Sequence, residues 1–272
     1  MWDGRTLGLW ATELDGADVV INLAGRSVDC RYHERNLREM MASRVDSTRV
    51  IGRAIAQAKN PPRVWLQAST ATIYAHRYDA PNDEETGVIG GHEPSVPALW
   101  AKSIDIAQAW EAELNAALTP RTRKVALRAA MVMSAARGGV FHVLARHCRL
   151  GFGSFGDGRQ YVSWIHEHDF VAAVKFLIER EDLSGAVNLA APDPLPFRDF
   201  LAALRRQLGR RLAIPLPFWA LEIGTFFLRT ETELILKSRR VVPTRLLKNG
   251  FVFHYPNWPV AATELVERWR LA

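Results

Sequence analysis

Asp18-Val-Val-Ile-Asn22-Leu-Ala-Gly25 is the stretch on which the reading of this chain turns. A short apolar run that halts at an asparagine and a glycine predicts a buried strand ending in a turn. The pattern then changes. From Glu34 to Lys59, Leu37, Met41, Val45, Ile51, Ile55 and Ala58 recur at three- and four-residue steps, which predicts an amphipathic helix closed by Pro61-Pro62. Arg63-Val-Trp-Leu-Gln-Ala-Ser69 predicts a second buried strand. A second helix carries Ile104, Ala107, Trp110, Leu114 and Ala117 on one face, and Lys124 to Met133 reads as a third strand. Phe170 to Ile178 predicts a helix with Asp169 as its N-cap, and Ala186 to Ala190 a fourth strand.

Strands alternating with long helices predict an α/β fold: a doubly wound parallel sheet that holds its ligand beyond the strands' carboxyl ends. That geometry gathers Asn22–Gly25, Ser69–Tyr74 and Arg128–Met133 at one crevice. The long loop from Tyr74 to Pro97, rich in Pro, Gly, Asp and Glu, reads as functional. From Pro192 onward the chain becomes proline-punctuated: helices Phe197–Leu208 and Phe218–Leu228, a basic-apolar stretch to Arg245, a β-like Phe251–His254 and a last helix around Ala261–Arg270. We therefore expect a sheet domain over residues 1–191 and a smaller, mostly helical lobe over 192–272.

The composition, 48% apolar and 24% charged over 272 residues, is that of a globular chain able to bury a large core. The net charge of +6 raises nucleic acid as a partner, but Arg205-Arg206, Arg210-Arg211 and Arg239-Arg240 are short pairs rather than a basic tract. An anion-attracting cleft uses the same charge, so no nucleic-acid partner is expected. The most apolar stretch, Leu212–Leu228, is broken by Pro215, Pro217 and Glu222 and falls short of the roughly 20 clean residues of a membrane span. Met1–Leu14 has no signal-like apolar run, and Cys30 and Cys148 lack metal or redox spacing. Free thiols and a cytoplasmic location are the expectation.

Two motifs are set aside. Gly151-Phe-Gly153-Ser-Phe-Gly156 spells GxGxxG, but a helical pattern precedes it and a strand-like Tyr161–Trp164 follows, the reverse of a dinucleotide turn. His166 and His168 would point to opposite faces of a continuing strand, so no metal site is expected. There is no Gly-x-Ser-x-Gly elbow.

Asn22-Leu-Ala-Gly25, Ser69-Thr-Ala-Thr-Ile-Tyr74, Leu127-Arg128, Gly156-Asp-Gly-Arg-Gln-Tyr-Val-Ser-Trp-Ile-His166 and Arg240-Val-Val-Pro243 together resemble an atypical subfamily of extended short-chain dehydrogenase/reductases. Its members are NAD-dependent epimerase/dehydratase-like proteins with a small C-terminal domain of unknown function. The resemblance implies a Rossmann-like NAD(P)-binding fold acting on a sugar-nucleotide or small carbonyl substrate. It implies cofactor contacts at Asn22, Ala24, Gly25 and Arg128, catalytic candidates Ser69, Tyr74 and Lys102, and substrate contacts at Arg159, Trp164 and His166.

Two departures accompany it. Such proteins open with a strand, a GxxGxxG turn and a helix, and this chain reads as lacking that first βαβ unit, a truncated N-terminus that removes the amides holding the pyrophosphate. No tyrosine has a lysine four residues later; Lys102 and Ile106 occupy those two positions. The expectation is an NAD(P)-dependent epimerase or oxidoreductase once the first unit is restored, the alternative a non-catalytic binding or scaffold descendant of the fold.

Overall fold

The structure, a computed structural model, describes residues 2–94, 96–216 and 233–271. Period-2 alternation in the strands sorts side chains to two sheet faces, and both faces are buried. β1 (Val19–Asn22), β2 (Val64–Thr70), β3 (Arg123–Ala129), β4 (Met131–Met133), β5 (Phe152–Phe155), β6 (Tyr161–Val162), β7 (Trp164–His166), β8 (Gly185–Leu189), β9 (Leu195–Pro196) and β10 (Ile214–Leu216) follow one another along the chain. Among the described residues β1, β2, β3 and β8 form one parallel sheet in that order. The helices between them are α1 (Glu34–Gln57), α2 (Leu99–Ala116), α3 (Val140–Arg149), α4 (Glu167–Glu179) and α5 (Phe197–Gln207).

Val64 and Leu66 of β2, Val125 and Leu127 of β3, and Val187 and Leu189 of β8 pack with Ala173 and Leu177 of α4 on one face. Trp65 and Ala126 pack with Ile51 and Ile55 of α1 and Leu114 of α2 on the other. A parallel sheet wrapped on both faces is the α/β architecture expected from the sequence. Among the described residues β1 pairs on one side only, with β2, and exposes Ile21 and, just beyond it, Leu23. No described helix is long and apolar enough to cross a membrane.

Four expectations are corrected. Lys124–Met133 is not one strand: β3 ends at Ala129, where its partner β8 also runs out, and β4 pairs instead with β7. Asp169 is not an N-cap. α4 starts at Glu167, capped by the His166 ring, and the buried Asp169 carboxylate accepts the amides of His254 and Tyr255 at 2.8 Å each. For that reason Phe251–His254 forms no strand: its last amide is taken by a side chain, while Phe251 closes a short helix, Thr244–Lys248, by bonding to Leu246. The last helix is longer than expected, Trp258–Leu271. The expected helix Phe218–Leu228 lies outside the described residues.

The GxGxxG stretch follows α3 and runs through β5, which pairs with β10. A Cβ on Gly153 would come to 3.1 Å from the Ile214 carbonyl oxygen. The glycine there allows two strands to approach, rather than leaving room for a pyrophosphate.

α3, α5 and the last helix close over a second core in which Trp258 is fully buried, stacked on Phe200 at 3.8 Å and edge-on to Trp164 at 5.0 Å. Its indole NH donates to the Phe200 carbonyl at 2.8 Å. Trp258→Ala leaves a large cavity, so urea unfolding should show a loss of about 3–5 kcal/mol, and Trp258→Phe, which fills part of that volume, a smaller one.

Candidate functional site

Along the sheet face covered by α1 and α2 the side chains change character toward the carboxyl ends. Val20, Trp65, Ala126 and Ala186 form an apolar band across the four strands. Two residues further on, the same face carries Asn22, Gln67, Arg128 and Asn188, with Ser69 beside Arg128 in register. Period-2 geometry turns four dispersed polar residues into one row.

The row is wired by hydrogen bonds. Arg128 grips Glu111 of α2 bidentately, Nε to Oε1 at 2.9 Å and Nη2 to Oε2 at 2.8 Å. Ser69 donates to the same carboxylate at 2.6 Å. Arg128 Nη1 donates to the Tyr74 hydroxyl at 2.9 Å, and Tyr74 donates to Asn188 Oδ1 at 2.9 Å. Burial alone would disfavour the Arg128 charge, but the hydrogen bonds and charge of Glu111 outweigh it and hold the guanidinium pKa above its ordinary range. Burial pushes the Tyr74 phenol upward, against the pull of Arg128, so at neutral pH it is protonated and serves as a bridge. At the β1 end, Asn22 Nδ2 donates to Gln67 Oε1 at 3.0 Å and Asn22 Oδ1 accepts the Ala24 amide at 3.0 Å. That bond folds the Asn22–Gly25 turn and leaves Gly25 exposed.

The structure thus brings Ser69, Tyr74 and Arg128 together and sets Asn22, Ala24 and Gly25 at the other end of the row. Lys102 lies apart, exposed on α2, 3.6 Å from Asp105 and about 13 Å along the helix from Glu111. Trp164 is fully buried, its indole NH on the Asp193 carbonyl at 3.2 Å, with no face open to a ligand. His166 is likewise buried, with Nε2 2.9 Å from Glu264 and its ring 4.0 Å from Tyr255. Arg159 is exposed beside Asp157, whose carboxylate accepts its backbone amide at 3.0 Å.

Glu111 and Asn188 of the row were not singled out from the sequence, and neither were two further residues at this end. Thr70, next to Ser69, faces the opposite way, half-buried at the β2 terminus, and accepts the Thr72 amide at 3.1 Å. Lys237 reaches the same turn from the C-terminal segment: its buried Nζ donates to the Thr72 carbonyl at 2.8 Å and lies 3.5 Å from Glu233 Oε1, which also accepts from Ser103 at 2.6 Å. Burial lowers the Lys237 pKa to about 8. A hydroxyl one place along in Ser69-Thr70 was the available signal for Thr70. Lys237 lies in a basic-apolar stretch whose sequence gives no hint of burial.

A parallel sheet wrapped by helices, with a polar row at its carboxyl ends and a helical C-terminal cover, defines a Rossmann-like protein of the extended short-chain dehydrogenase/reductase kind. The chain belongs to the NAD dependent epimerase/dehydratase family, which it matches over residues 8–190, and residues 216–265 match a domain of unknown function, DUF1731. It is similar to the human Epimerase family protein SDR39U1, 30% identical over 264 residues that cover 95% of this chain and 85% of the human protein. It is also similar to the Epimerase family protein YfhF of Bacillus subtilis (strain 168), 29% identical over 256 residues, 93% of this chain and 80% of that one. The solved structure of human SDR39U1 (isoform 2) with NADPH superposes with a TM-score of 0.81 at 27% identity, over 92% of this chain and 82% of the human chain.

The residues present fit a dinucleotide in part. The Asn22–Gly25 turn at a strand's carboxyl end is open for one side of it, while no strand–glycine turn–helix cradle for the pyrophosphate occurs among the described residues.

Removing one partner of the Arg128–Glu111 pair strands a largely buried charge. Arg128→Met should cost about 3 kcal/mol in urea unfolding, and Arg128→Met combined with Glu111→Leu clearly less. Burial also lowers the pKa of His166, with Glu264 offsetting only part, and of His76 and His147. The folded chain then binds fewer protons than the unfolded one just below about pH 6.5, so the stability present above that value is lost as pH falls through the folded-state values. Thermal melts should show Tm declining between about pH 7 and pH 5.5, and His166→Gln should flatten the decline.

Proposed function

We propose that this chain is the substrate-handling part of an NAD(P)-dependent epimerase or oxidoreductase whose substrate is a sugar nucleotide or small carbonyl compound held at the carboxyl ends of β2 and β3. The observation that carries the reading is the hydrogen-bonded polar row Ser69–Glu111–Arg128–Tyr74–Asn188, placed where doubly wound sheets bind ligands. The NADPH in human SDR39U1 and the family membership support the cofactor class. Bound NAD(P) supplies hydride transfer; the chain's own residues bind, orient and move protons.

In this reading Ser69 and Tyr74 are held by Glu111 and Arg128, and they fix the β2 terminus, where the Thr70 hydroxyl accepts the Thr72 amide and shapes the turn. Lys237, close to neutral in pKa and anchored on Thr72, is suited to exchange a proton at the same turn. We read residues 1–191 as the cofactor-side domain and 192–272 as the substrate-side lobe. The unpaired edge of β1, with Ile21 and Leu23 exposed, is where a preceding strand–turn–helix unit completes the sheet and supplies the pyrophosphate cradle.

Calorimetric titration of NADPH into this chain, and into a form carrying such a unit ahead of residue 1, tests the reading. Binding by the extended form with weak or no binding by the 272-residue chain is the expected result. No binding by either, with both folded by circular dichroism, overturns it and leaves a non-catalytic binding or scaffold role.

A further inference from the structure

Two clusters of arginine lie outside the polar row, and they differ in one respect. At the amino-end side of the sheet, Arg63, Arg121 and Arg123 line a basic hollow with Glu181. Each of these arginines is engaged by main chain. Arg121 donates to the Ala58 and Lys59 carbonyls past the end of α1, and Arg63 and Arg123 donate to Ile178 and Leu177 in the last turn of α4. They cap helix C-termini, which explains their presence.

The second cluster surrounds a cavity of about 730 Å³ between α3, the end of α5 and the last helix. Arg137, Arg146, Arg149, Arg210 and Arg270 line it, and none of the described lining residues is acidic. Arg270 donates to the Gln207 carbonyl at 2.9 Å, again at a helix end. Among the described residues Arg146, Arg149 and Arg210 have no carboxylate partner. Three helix C-termini meet here, each carrying about half a negative charge, which is less than the guanidinium groups of Arg146, Arg149 and Arg210 contribute.

The floor of the cavity is aromatic. Trp269 donates its indole NH to His142 Nδ1 at 2.9 Å, with the rings 5.9 Å apart and edge-on. A half-open hollow of this size, lined by exposed arginines, suits a small charged molecule. Duplex nucleic acid would call for a basic stripe along an exposed face. Guanidinium forks match phosphate oxygens bidentately.

We propose that this cavity is a binding site for a compact ligand bearing two or more phosphoryl groups, held by Arg146, Arg149 and Arg210 over the Trp269–His142 floor. It is separate from the polar row, none of whose residues lines it. It does not depend on the NAD(P) reading.

The test is calorimetric titration of the full chain with inorganic pyrophosphate and with tripolyphosphate, at low salt and at about 0.15 M. Wild type should bind tripolyphosphate more tightly than pyrophosphate, and both more weakly as salt rises. The double variant Arg146→Ala/Arg210→Ala should bind about tenfold more weakly or worse, while Arg53→Ala, an exposed arginine on α1, should bind like wild type. Single substitutions Arg146→Ala and Arg210→Ala serve if the double variant does not fold. Absence of binding, or equal weakening by Arg53→Ala, overturns the site. Saturating NADPH that abolishes pyrophosphate binding, with the arginine variants unaffected, would mean that the phosphate sits in the cofactor crevice. Tighter, arginine-dependent binding of an oligonucleotide would replace the small-ligand assignment.

Discussion

The bidentate pair between Arg128 and Glu111 is the interaction on which the crevice depends. A guanidinium and a carboxylate with little solvent access are tolerable only when each satisfies the other and the remaining donors are used. Here Glu111 also takes the Ser69 hydroxyl, and Arg128 also fixes the Tyr74 phenol. Tyr74 passes the constraint to Asn188, whose Nδ2 donates to the Val242 carbonyl at 3.0 Å. One charge pair thus ties α2, β2, β3, β8 and the C-terminal segment into a single polar layer. Substituting any member changes the geometry of the others, so these residues act as a unit.

The same segment explains the Arg240-Val-Val-Pro243 motif. Asn82 donates its amide to the Arg240 carbonyl at 2.6 Å, and its own carbonyl accepts the Val242 amide at 3.0 Å. On the other side Ser163 donates to the Arg239 carbonyl and accepts the Val241 amide. The motif is a strap held between the Tyr74–Pro97 loop and the β6–β7 region, and it places Lys237 and Ser238 against the loop. His76 Nδ1 accepts the Ser238 amide at 2.8 Å. The long loop is therefore ordered by bonds to distant residues together with its own, among them the Ala75 amide to the Val88 carbonyl and the Val88 amide to Asn82 Oδ1. Asp169 does the equivalent for the approach to the last helix.

Much of the fold is legible in the sequence because hydrophobic periodicity is a local property. The 3.6-residue recurrence in Glu34–Lys59 and the apolar runs at Asp18–Asn22 and Arg63–Ser69 each announce one element, and alternation of the elements announces the parallel sheet. The misreadings fall where a distant partner decides. Ala129 and Ala130 carry no break signal, and β3 ends there because β8 offers no further ladder. Phe251–His254 looks like a strand, yet Asp169 takes its terminal amide. Ser69, Tyr74 and Arg128 were named from a family resemblance, as catalytic and cofactor-contact candidates, and the structure places them in one hydrogen-bonded row; Glu111, their common anchor, reads in sequence as one more charge on a helix.

By itself the sequence determined the strands of the main sheet and the helices that alternate with them, that this sheet is parallel, and which of its strand ends carry polar groups. These follow from side-chain spacing, which the backbone periods of 2 and 3.6 convert directly into faces. Only the tertiary structure decided what those groups do. Ser69 and Thr70 differ by one place and so face opposite ways; Trp164 and His166 are enclosed; Lys102 stands in solvent, and Lys237 is buried. Burial and partnership are set by packing between residues far apart in the chain. A lysine's charge or a histidine's pKa therefore becomes readable only once the neighbouring surface is in place.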